Sequence, residues 1–516
     1  MTRSLASFLS RFSCMAIALS KESITASPGF NRWLIPPAAL AIHLCIGQAY
    51  AFSIFRIPLT RILGITESAE GDWERTQVFW AFTIAIVFLG LSAAFLGKWA
   101  ERVGPRISGL TSALCWSSGF LIAALGVYLH QIWLLYLGYG VVGGCGLGIG
   151  YITPVSTLIR WFPDRRGLAT GLAIMGFGGG AMVASPLSEM LMSYYRGPDS
   201  TGVAETFVTL GLIYGLVMTC GAFGFRLPAS TVGSEKAKPT TEETVAAVHD
   251  SIDPDAALRT RSFYCLWVVL FLNVTAGIGI LDVASPMIQE IFAKRIGPEA
   301  ATGFVGLLSL FNLLGRFVWS ALSDRLGRKP TYAIFLSLGP LLYLMLPLAG
   351  RISSVPLFVG FLAVIMSMYG GCFAAIPAYL SDVFGIRYVS AIHGRLLTAW
   401  SCAGIAGPAI INYIHKANLQ VPDADPARAY DSALWLVGAA LAIGFIANLL
   451  VKPVAAALLS GQAKPASLAT GSRTVMQSPQ AQTWPWVAIL LAWLAVGVPL
   501  LWGVSMTLRN ALKLFF

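Results

Sequence analysis

One arginine within an apolar stretch is the residue with the clearest capacity for chemistry in this chain. Arg316 precedes Asp324 by eight residues, which in a helix places it about 12 Å from the helix end at 1.5 Å per residue. An arginine at that depth is costly unless it faces a cavity or a partner. Its planar guanidinium suits a carboxylate through two parallel hydrogen bonds. Asn312, one turn earlier, shares its face, so we predict that both residues bind an anion.

A structural ion pair is the competing interpretation of the same arginine. Asp282 lies in the preceding apolar run and could pair with Arg316, in which case an incoming anion must displace it. Asp282 is also a candidate for proton coupling, and His43 in the first apolar run is another, because an imidazole titrates near neutral pH. The sequence leaves these alternatives open.

Three further polar or aromatic side chains are candidates for substrate binding. Gln48 and Tyr50 lie in the first apolar run, and Tyr151 lies in the fourth. Gln48 and Tyr50 are two positions apart and therefore do not share a helical face. We expect only part of this set to line a cavity.

The elements that position these residues are apolar runs long enough to cross a bilayer. The chain has 516 residues, of which 56% are apolar and 11% are charged, against about 25% charged in soluble domains. Twelve runs approach the roughly 20 helical residues that a bilayer core requires. They begin near Trp33, Gln77, Ile107, Ile132, Leu168, Thr206, Phe263, Thr302, Thr331, Val355, Gly394 and Ser432, and a thirteenth begins near Trp484. We predict an all-α integral membrane protein, with two pseudo-symmetric six-helix bundles plus one extra C-terminal helix.

Polar segments divide the chain. The predicted units are a cytoplasmic N-terminal tail (1–31), a six-helix bundle (32–225), a cytoplasmic linker (226–261), a second six-helix bundle (262–451), a second linker (452–483) and an additional transmembrane helix (484–516). Lysine and arginine gather in every second loop, which places those loops and the first linker in the cytoplasm. We expect a multi-pass protein of the cell (inner) membrane. The thirteenth helix would leave Arg509 and Lys513 outside, so its direction remains open.

Two loops repeat at corresponding places of the two halves. The loop after helix two reads G-K-W-A-E-R-V-G-P-R (97–106), and the loop after helix eight reads S-A-L-S-D-R-L-G-R-K (320–329). The acid of each loop can accept hydrogen bonds from arginines and from a nearby helix N-terminus. Repeated halves around a mid-membrane site are what alternating access requires. The predicted gating residues are Glu101, Asp324, Arg325, Arg328, Arg166 and Arg395.

The paired loop resembles the signature loop of the major facilitator superfamily. Within that superfamily, segments 32–55, 160–171, 271–279 and 312–316 resemble the oxalate/formate antiporter family, in matching order over roughly 32–451. The resemblance implies secondary transport of a small organic anion by oxalate/formate-type exchange. It also implies that Arg316, which matches the family's helix-eight arginine, binds substrate carboxylate.

The family pattern breaks in helix eleven. Oxalate carriers of the family resemble Y-T-A-K-G there, with the lysine as a second carboxylate-binding charge, whereas this chain reads L-T-A-W-S, with Trp400 in the lysine's place. A single cation suits a monocarboxylate, or a dicarboxylate that carries one proton. Arg395 could compensate, or it could be a gate at the cytoplasmic mouth. Proton-coupled monocarboxylate symport is therefore an alternative function, and a membrane-embedded anion sensor is another.

The sequence contains no motif that would indicate another class of protein. The chain has no H-E-x-x-H, G-x-S-x-G or Walker sequence, so we predict neither an enzyme nor a cofactor. Its eight cysteines stand singly without metal-ligand spacing. The net charge of +11 falls in alternate loops, which argues against nucleic acid. The expected partners are a small organic anion, protons as a further candidate, and the lipid bilayer.

The thirteenth helix has no counterpart in the first half. It resembles the single-helix small subunits that accompany some carriers of the family, here fused to the chain. We predict that it packs on the outside of the bundle and contributes nothing to the anion site.

Overall fold

The computed structural model describes residues 23–228, 251–454 and 486–512, apart from Pro28, Lys294 and Ala424. This part of the chain contains 13 helices long and apolar enough to cross a membrane. The predicted tail and both predicted linkers fall largely outside the described residues.

The helices follow the order that the apolar runs predict. The first half contains α1 (Arg32–Ala51, continued by Ser53–Leu59), α2 (Arg75–Val103), α3 (Pro105–Tyr128), α4 (Ile132–Trp161), α5 (Arg166–Tyr195) and α6 (Val203–Gly224). The second half contains α7 (Arg261–Ile291), α8 (Pro298–Leu326), α9 (Arg328–Arg351), α10 (Val355–Phe384), α11 (Val389–Leu419) and α12 (Asp431–Leu450), and α13 (Trp486–Leu512) follows. Every predicted start lies within about five residues of the observed one.

The repeated loops owe their shape to one glycine each. Gly104 separates α2 from α3 with a φ of 85°, and Gly327 separates α8 from α9 with a φ of 86°. Side chains rarely adopt that conformation, whereas glycine does so without steric cost. A one-residue turn therefore joins each helix pair and holds the acid of the loop near the end of its helix.

Two helices are interrupted beside the candidate site. A 3-10 turn at Gly47–Ala51 interrupts α1, and α11 is broken at Leu397, between Val389–Leu396 and Thr398–Leu419. Irregular backbone at membrane depth is tolerated where it is buried in protein or lines a cavity. The interruption of α1 includes Tyr50, and the break in α11 lies three residues before Trp400.

The two halves meet along two seams. Helix α5 packs against α8 at one seam, and α2 packs against α11 at the other. Glycines allow the close approach: a Cβ on Gly97 would lie 2.7 Å from the Cα of Ala391. Small residues at helix interfaces permit such contact and leave the halves free to move against one another.

Helix α13 lies on the outside of the bundle, over the α5–α8 seam. We call the side where α6 ends and α7 begins the linker side, and the other side the opposite side. Trp493 donates from Nε1 to the carbonyl of Trp33 at 3.2 Å, near the start of α1 on the linker side. Thr507 packs against Gly306 near the start of α8. The helix therefore runs from the linker side to the opposite side, which answers the question of direction that the charges left open.

Candidate anion-binding site

Arg316 is fully buried between the two halves. Its Nε donates to Oδ1 of Asn312 at 2.8 Å, and its Nη1 donates to the carbonyl of Ile174 on α5 at 3.3 Å. The guanidinium carbon lies 5.7 Å from the ring centroid of Phe177 and 5.4 Å from that of Phe373. Its Nη2 is buried and, within the described residues, donates to no acceptor.

The competing ion pair with Asp282 is not formed. Asp282 instead lies with Oδ1 3.9 Å from Nη2 of Arg56, and its Oδ2 accepts from Asn412 at 3.0 Å. No carboxylate of the described chain forms a salt bridge with Arg316. A buried charge without a counterion is strongly unfavourable. The arrangement suits a guanidinium whose anion comes from outside the protein.

The two rings beside this arginine pack against four further aromatic side chains. We call the six the aromatic cage: Tyr50, Tyr151, Phe177, Tyr369, Phe373 and Trp400. Trp400 is fully buried, and its ring centroid lies 4.8 Å from Phe373, 5.3 Å from Tyr151, 5.4 Å from Phe177 and 6.3 Å from Tyr50. The Trp400 Nε1 and the Tyr151 hydroxyl are buried without a hydrogen-bond partner in the structure as described. The cage thus combines apolar walls with two donors that, like Nη2 of Arg316, have no hydrogen-bond partner among the described residues.

The cage joins both halves of the molecule. The hydroxyls of Tyr50 on α1 and Tyr369 on α10 lie 3.5 Å apart. Gly178 on α5 leaves room for the arginine of α8, because a Cβ there would lie 2.8 Å from Nε of Arg316. Any movement of one half relative to the other therefore changes the cage.

A cavity of about 260 Å³ leads to the site from the opposite side. Tyr50 and Asn312 belong both to its wall and to the surroundings of Arg316. Other wall residues come from α1, α2, α5, α7, α8 and α11, and among the described residues of that wall Arg56 and Asp282 carry the only charged side chains. Arg316 thus lies at the inner end of a pathway between the halves.

On the linker side, the acid of the second repeated loop joins the two halves. Asp324 accepts from the backbone amides of Gly167 and Leu168, both at 2.8 Å, at the N-terminus of α5. It also forms an ion pair with Arg328. Arg328 and Arg166, from opposite halves, both bind Asp382, at 3.3 and 3.1 Å. A helix N-terminus favours such a carboxylate.

The first repeated loop makes the equivalent contacts at the other seam. Glu101 accepts from the backbone amide of Ala391 at 3.3 Å, in the first turn of α11. Asp255, just before α7, binds Lys98 at 2.5 Å and also binds Arg395. Hydrogen bonds from Lys98 and then from Arg395 lower the pKa of the Asp255 carboxyl, so these contacts persist at neutral pH. The linker side is closed, while the cavity lies toward the opposite side.

The structure gathers most of the predicted substrate-binding residues in one place. Arg316, Asn312, Trp400, Tyr50 and Tyr151 lie together around the cage. Gln48 lies apart from them: its Oε1 accepts from the hydroxyl of Tyr139 at 3.5 Å within the first half, and the residue does not line the cavity. Its role in substrate binding stays a prediction. Two positions along α1 separate Gln48 from Tyr50, enough to turn them to different faces.

The remaining candidates occupy three places. Asp282 lies in the cavity wall. His43 is fully buried with its ring edge-on to Tyr151 at 5.5 Å, outside that wall. Arg395 is on the linker side, where it pairs with Asp255, the position expected of a gate at the cytoplasmic mouth. Arg325 is exposed on the same side.

Sequence reasoning missed several residues of the site. Phe177, Tyr369 and Phe373 complete the cage, and Arg56 and Asp382 provide charged contacts. Tyr369 and Phe373 are four positions apart and share a helix face, but an aromatic pair in an apolar run is usually core. Arg56 stands near the end of the first run, where a charge is ordinarily interfacial.

Duplicated halves around a central cavity that is closed on one side form the architecture of a membrane transporter. The chain belongs to the Major Facilitator Superfamily, which it matches over residues 23–312 and 266–512. It is thus a multi-pass membrane transporter, and the predicted fold is confirmed.

Several known proteins are similar to this chain over most of its length. The oxalate:formate antiporter of Oxalobacter formigenes is 28% identical over 380 residues, covering 73% of this chain and 83% of that protein, in agreement with the predicted resemblance. Apicoplast pyruvate carrier 1 of Toxoplasma gondii is 24% identical over 458 residues, covering 72% and 82%. The fucose:proton symporter of Escherichia coli superposes with a TM-score of 0.58 at 14% identity, covering 82% of this chain and 100% of that one, which shows the fold alone.

Proposed function

We propose that this protein is a secondary active transporter that moves a small carboxylate anion across the cell (inner) membrane by alternating access, in oxalate/formate-type exchange. The observation that carries the proposal is the buried guanidinium of Arg316, which has a free Nη2 and no carboxylate partner among the described residues. The similarity to an oxalate:formate antiporter supports the same substrate class.

The geometry suggests how the anion is held. A carboxylate that reaches the inner end of the cavity meets Nη2 of Arg316 and the unused donors of Trp400 and Tyr151. The aromatic cage excludes water, and hydrogen bonds to an ion strengthen where the local dielectric constant is low. One cation matches one carboxylate, so the substrate is a monocarboxylate or a dicarboxylate that carries one proton.

The second state of the transport cycle arises when the linker-side contacts break. The carboxylates of Asp324 and Glu101 cross from one half to the other at the two seams. When these contacts break and the opposite side closes, Arg316 becomes accessible from the linker side. The anion itself favours this exchange, because it neutralises the charge that the moving halves enclose.

Proton-coupled monocarboxylate symport is the second candidate function. Trp400 favours it, since the site lacks a second cation, and the similarity to a pyruvate carrier points to monocarboxylates. Asp282 is the carboxyl in the cavity wall that we assign to proton coupling in that case.

Counterflow in proteoliposomes tests both candidates. Vesicles loaded with formate, oxalate, acetate or lactate should accumulate labelled anion only when a transported anion is inside, and Arg316→Gln should abolish the flux. Arg61→Gln is the matched control, because Arg61 binds a local carbonyl at the end of α1, away from the cage. Uptake into empty vesicles driven by an inward proton gradient would instead establish symport. Saturable binding without flux would overturn transport and indicate a sensor.

A further inference from the structure

The cavity wall contains an arginine of its own, Arg56, outside the aromatic cage. Arg56 lies on the outer part of α1, in the first half, and faces Asp282 on α7, in the second half. Their nearest charged atoms are 3.9 Å apart, too long for a hydrogen bond. Both side chains reach solvent, at 33% and 19% exposure. This ion pair is weak and open to competition.

Each member of the pair is held by a different neighbour. The guanidinium carbon of Arg56 lies 5.3 Å from the ring centroid of Phe79 on α2, and its Nε is buried without an acceptor in the part of the chain that the structure describes. Asp282 is fixed from α11, because Asn412 donates to its Oδ2 and also donates to the carbonyl of Pro408 at 2.9 Å. Arg56 can therefore release Asp282 while both side chains keep their support.

We propose that Arg56 is an outer carboxylate-binding site, which receives the substrate before Arg316 does, with Asp282 as its internal competitor. The inference rests on the proposed function and extends it. A bidentate carboxylate offers the guanidinium two hydrogen bonds near 2.8 Å, whereas Asp282 offers a contact at 3.9 Å. The substrate's carboxylate displaces Asp282 at the cavity wall and then moves inward to the cage.

Replacement of Asp282 by asparagine removes the competing charge. A neutral amide at this position no longer attracts Arg56, so the apparent affinity for the anion rises. The other groups near Asp282 are Arg56 from α1, Tyr50 in the same wall and the neutral amide of Asn412 from α11. Further along the same helices, Glu290 of α7 and His415 of α11 bind each other at 2.8 Å. The adjoining turn contributes Arg428, which pairs with Asp425 at 3.4 Å.

Initial rates of labelled formate and lactate exchange, measured in proteoliposomes at about pH 7.5, test the proposal. Arg56→Gln should raise KM about tenfold, the loss of one good carboxylate contact, and leave the maximal rate largely unchanged because Arg316 remains. Asp282→Asn should lower KM, because the competing charge is gone. In the double variant the effect of Asp282→Asn should vanish, since the competitor acts only through Arg56.

Matched variants keep the result interpretable. His415→Gln leaves the Arg56–Asp282 pair in place and should preserve KM, and Arg61→Gln should preserve KM as well. If Arg56→Gln is poorly inserted, Arg56→Lys retains the charge and should retain part of the affinity. An unchanged KM in a well-inserted Arg56→Gln protein, or additive effects in the double variant, would overturn the proposal. If wild-type exchange depends on Arg316 but not on Arg56, only this inference is contradicted. If the wild-type protein shows no carboxylate flux, the proposed function itself is contradicted.

Discussion

At the scale of single residues, Arg316 differs from three arginines of the linker side in having no acid beside it. Arg166, Arg328 and Arg395 all form ion pairs with aspartates. Arg316 is more deeply buried than any of them and is held by one amide and one carbonyl. Burial makes an unpaired charge expensive, so the missing acid is the feature that a bound anion explains.

Replacement of Arg316 by lysine tests the importance of the planar guanidinium. Lysine keeps the charge but cannot donate to Asn312, Ile174 and a carboxylate in the same fixed plane. We expect Arg316→Lys to lower exchange at subsaturating substrate at least tenfold. The measurement is initial exchange rate per amount of inserted protein, with Arg61→Lys as the control. Undiminished exchange by the lysine variant would exclude Arg316 as the anion site.

A charge introduced at Trp400 tests why the site has one cation. In the wild type, a fully ionised dicarboxylate leaves one carboxylate without a charged partner in the cage. We expect formate, acetate and lactate to compete better than oxalate at neutral pH, and Trp400→Lys to shift the preference toward oxalate by about tenfold or more. Competition against one labelled substrate measures the ratio. Oxalate binding far tighter than formate to the wild type would contradict the single-cation interpretation.

The sequence predicts the charged centre of the site better than its walls. Arg316 and Asn312 are identifiable because polar groups are costly at that depth in an apolar run. Phe177 and Phe373 are not, since an aromatic side chain looks the same whether it packs in a core or lines a site. The partner of Asp282 depends on which helix packs opposite it. Only the tertiary structure shows that this helix is α1 and that the partner is Arg56.

At the scale of elements, α13 is an addition that contacts both halves. Leu500 and Val504 pack with Met182 of α5 and with Leu310 and Leu313 of α8. Its outward face remains apolar, as a helix next to lipid requires. The helix therefore covers one of the two seams without reaching Arg316.

Two glycines of α13 provide a matched test of this packing. A Cβ on Gly503 would lie 2.7 Å from the carbonyl oxygen of Met182, whereas a Cβ on Gly497 would meet nothing within 4 Å among the described atoms. We expect Gly503→Ala to lower the thermal unfolding midpoint by a few degrees, consistent with an overpacking cost of about 1–3 kcal/mol. Gly497→Ala should leave it unchanged. Equal midpoints for the two variants would show that the seam does not depend on α13.

Removal of α13 tests its separation from transport. A chain that ends at Ser460 should keep its KM for exchanged anions, because α13 contributes nothing to the aromatic cage, while its yield and thermal stability fall. Exchange kinetics and thermal unfolding of the truncated protein in the same detergent provide the comparison. A large rise of KM in a correctly inserted protein would place α13 in the transport pathway.

The helices themselves were accessible from the sequence, but their interruptions were not. Hydropathy locates a spanning helix within a few residues because each span must be apolar over its whole length. The break at Leu397 leaves that hydropathy unchanged, and its consequence, the placement of Trp400 in the cage, arises from packing. The direction of α13 likewise follows from its contact with Trp33 and not from its flanking charges.

At the scale of the whole molecule, carboxylates of the repeated loops join the halves on the linker side. Asp324 binds the N-terminus of α5 across one seam, and Glu101 binds the first turn of α11 across the other. The two contacts are related by the internal repeat. Loss of one should weaken closure at both seams, because the halves move as units.

Hydrogen exchange can detect that coupling. Asp324→Asn removes a charge that accepts from Gly167 and Leu168, and we expect amide exchange in residues 389–396, at the other seam, to increase several-fold. Glu189→Gln, at the exposed opposite end of α5, is the control. Faster exchange restricted to residues 166–168 would show a local cap and no coupling between the seams.

The repeat in the sequence predicts two halves and a pathway between them, but not which side is open. That outcome depends on the balance between linker-side contacts, several of which involve Asp382 and Asp255 in non-repeated positions. The sequence pattern is the same whether the linker side or the opposite side is open, so it cannot indicate which of the two is open.

The solitary charge of Arg316 has an electrical consequence for the proposed transport cycle. The Arg56–Asp282 pair is neutral, so an empty cage encloses one positive charge, and a monocarboxylate in the cage cancels it. A loaded carrier then reorients without moving net charge through the membrane field, whereas an empty carrier moves one, at about 2.3 kcal/mol per 100 mV. One-for-one exchange of monoanions should thus proceed at the same rate at any membrane voltage, and voltage acts only on the return of the empty protein.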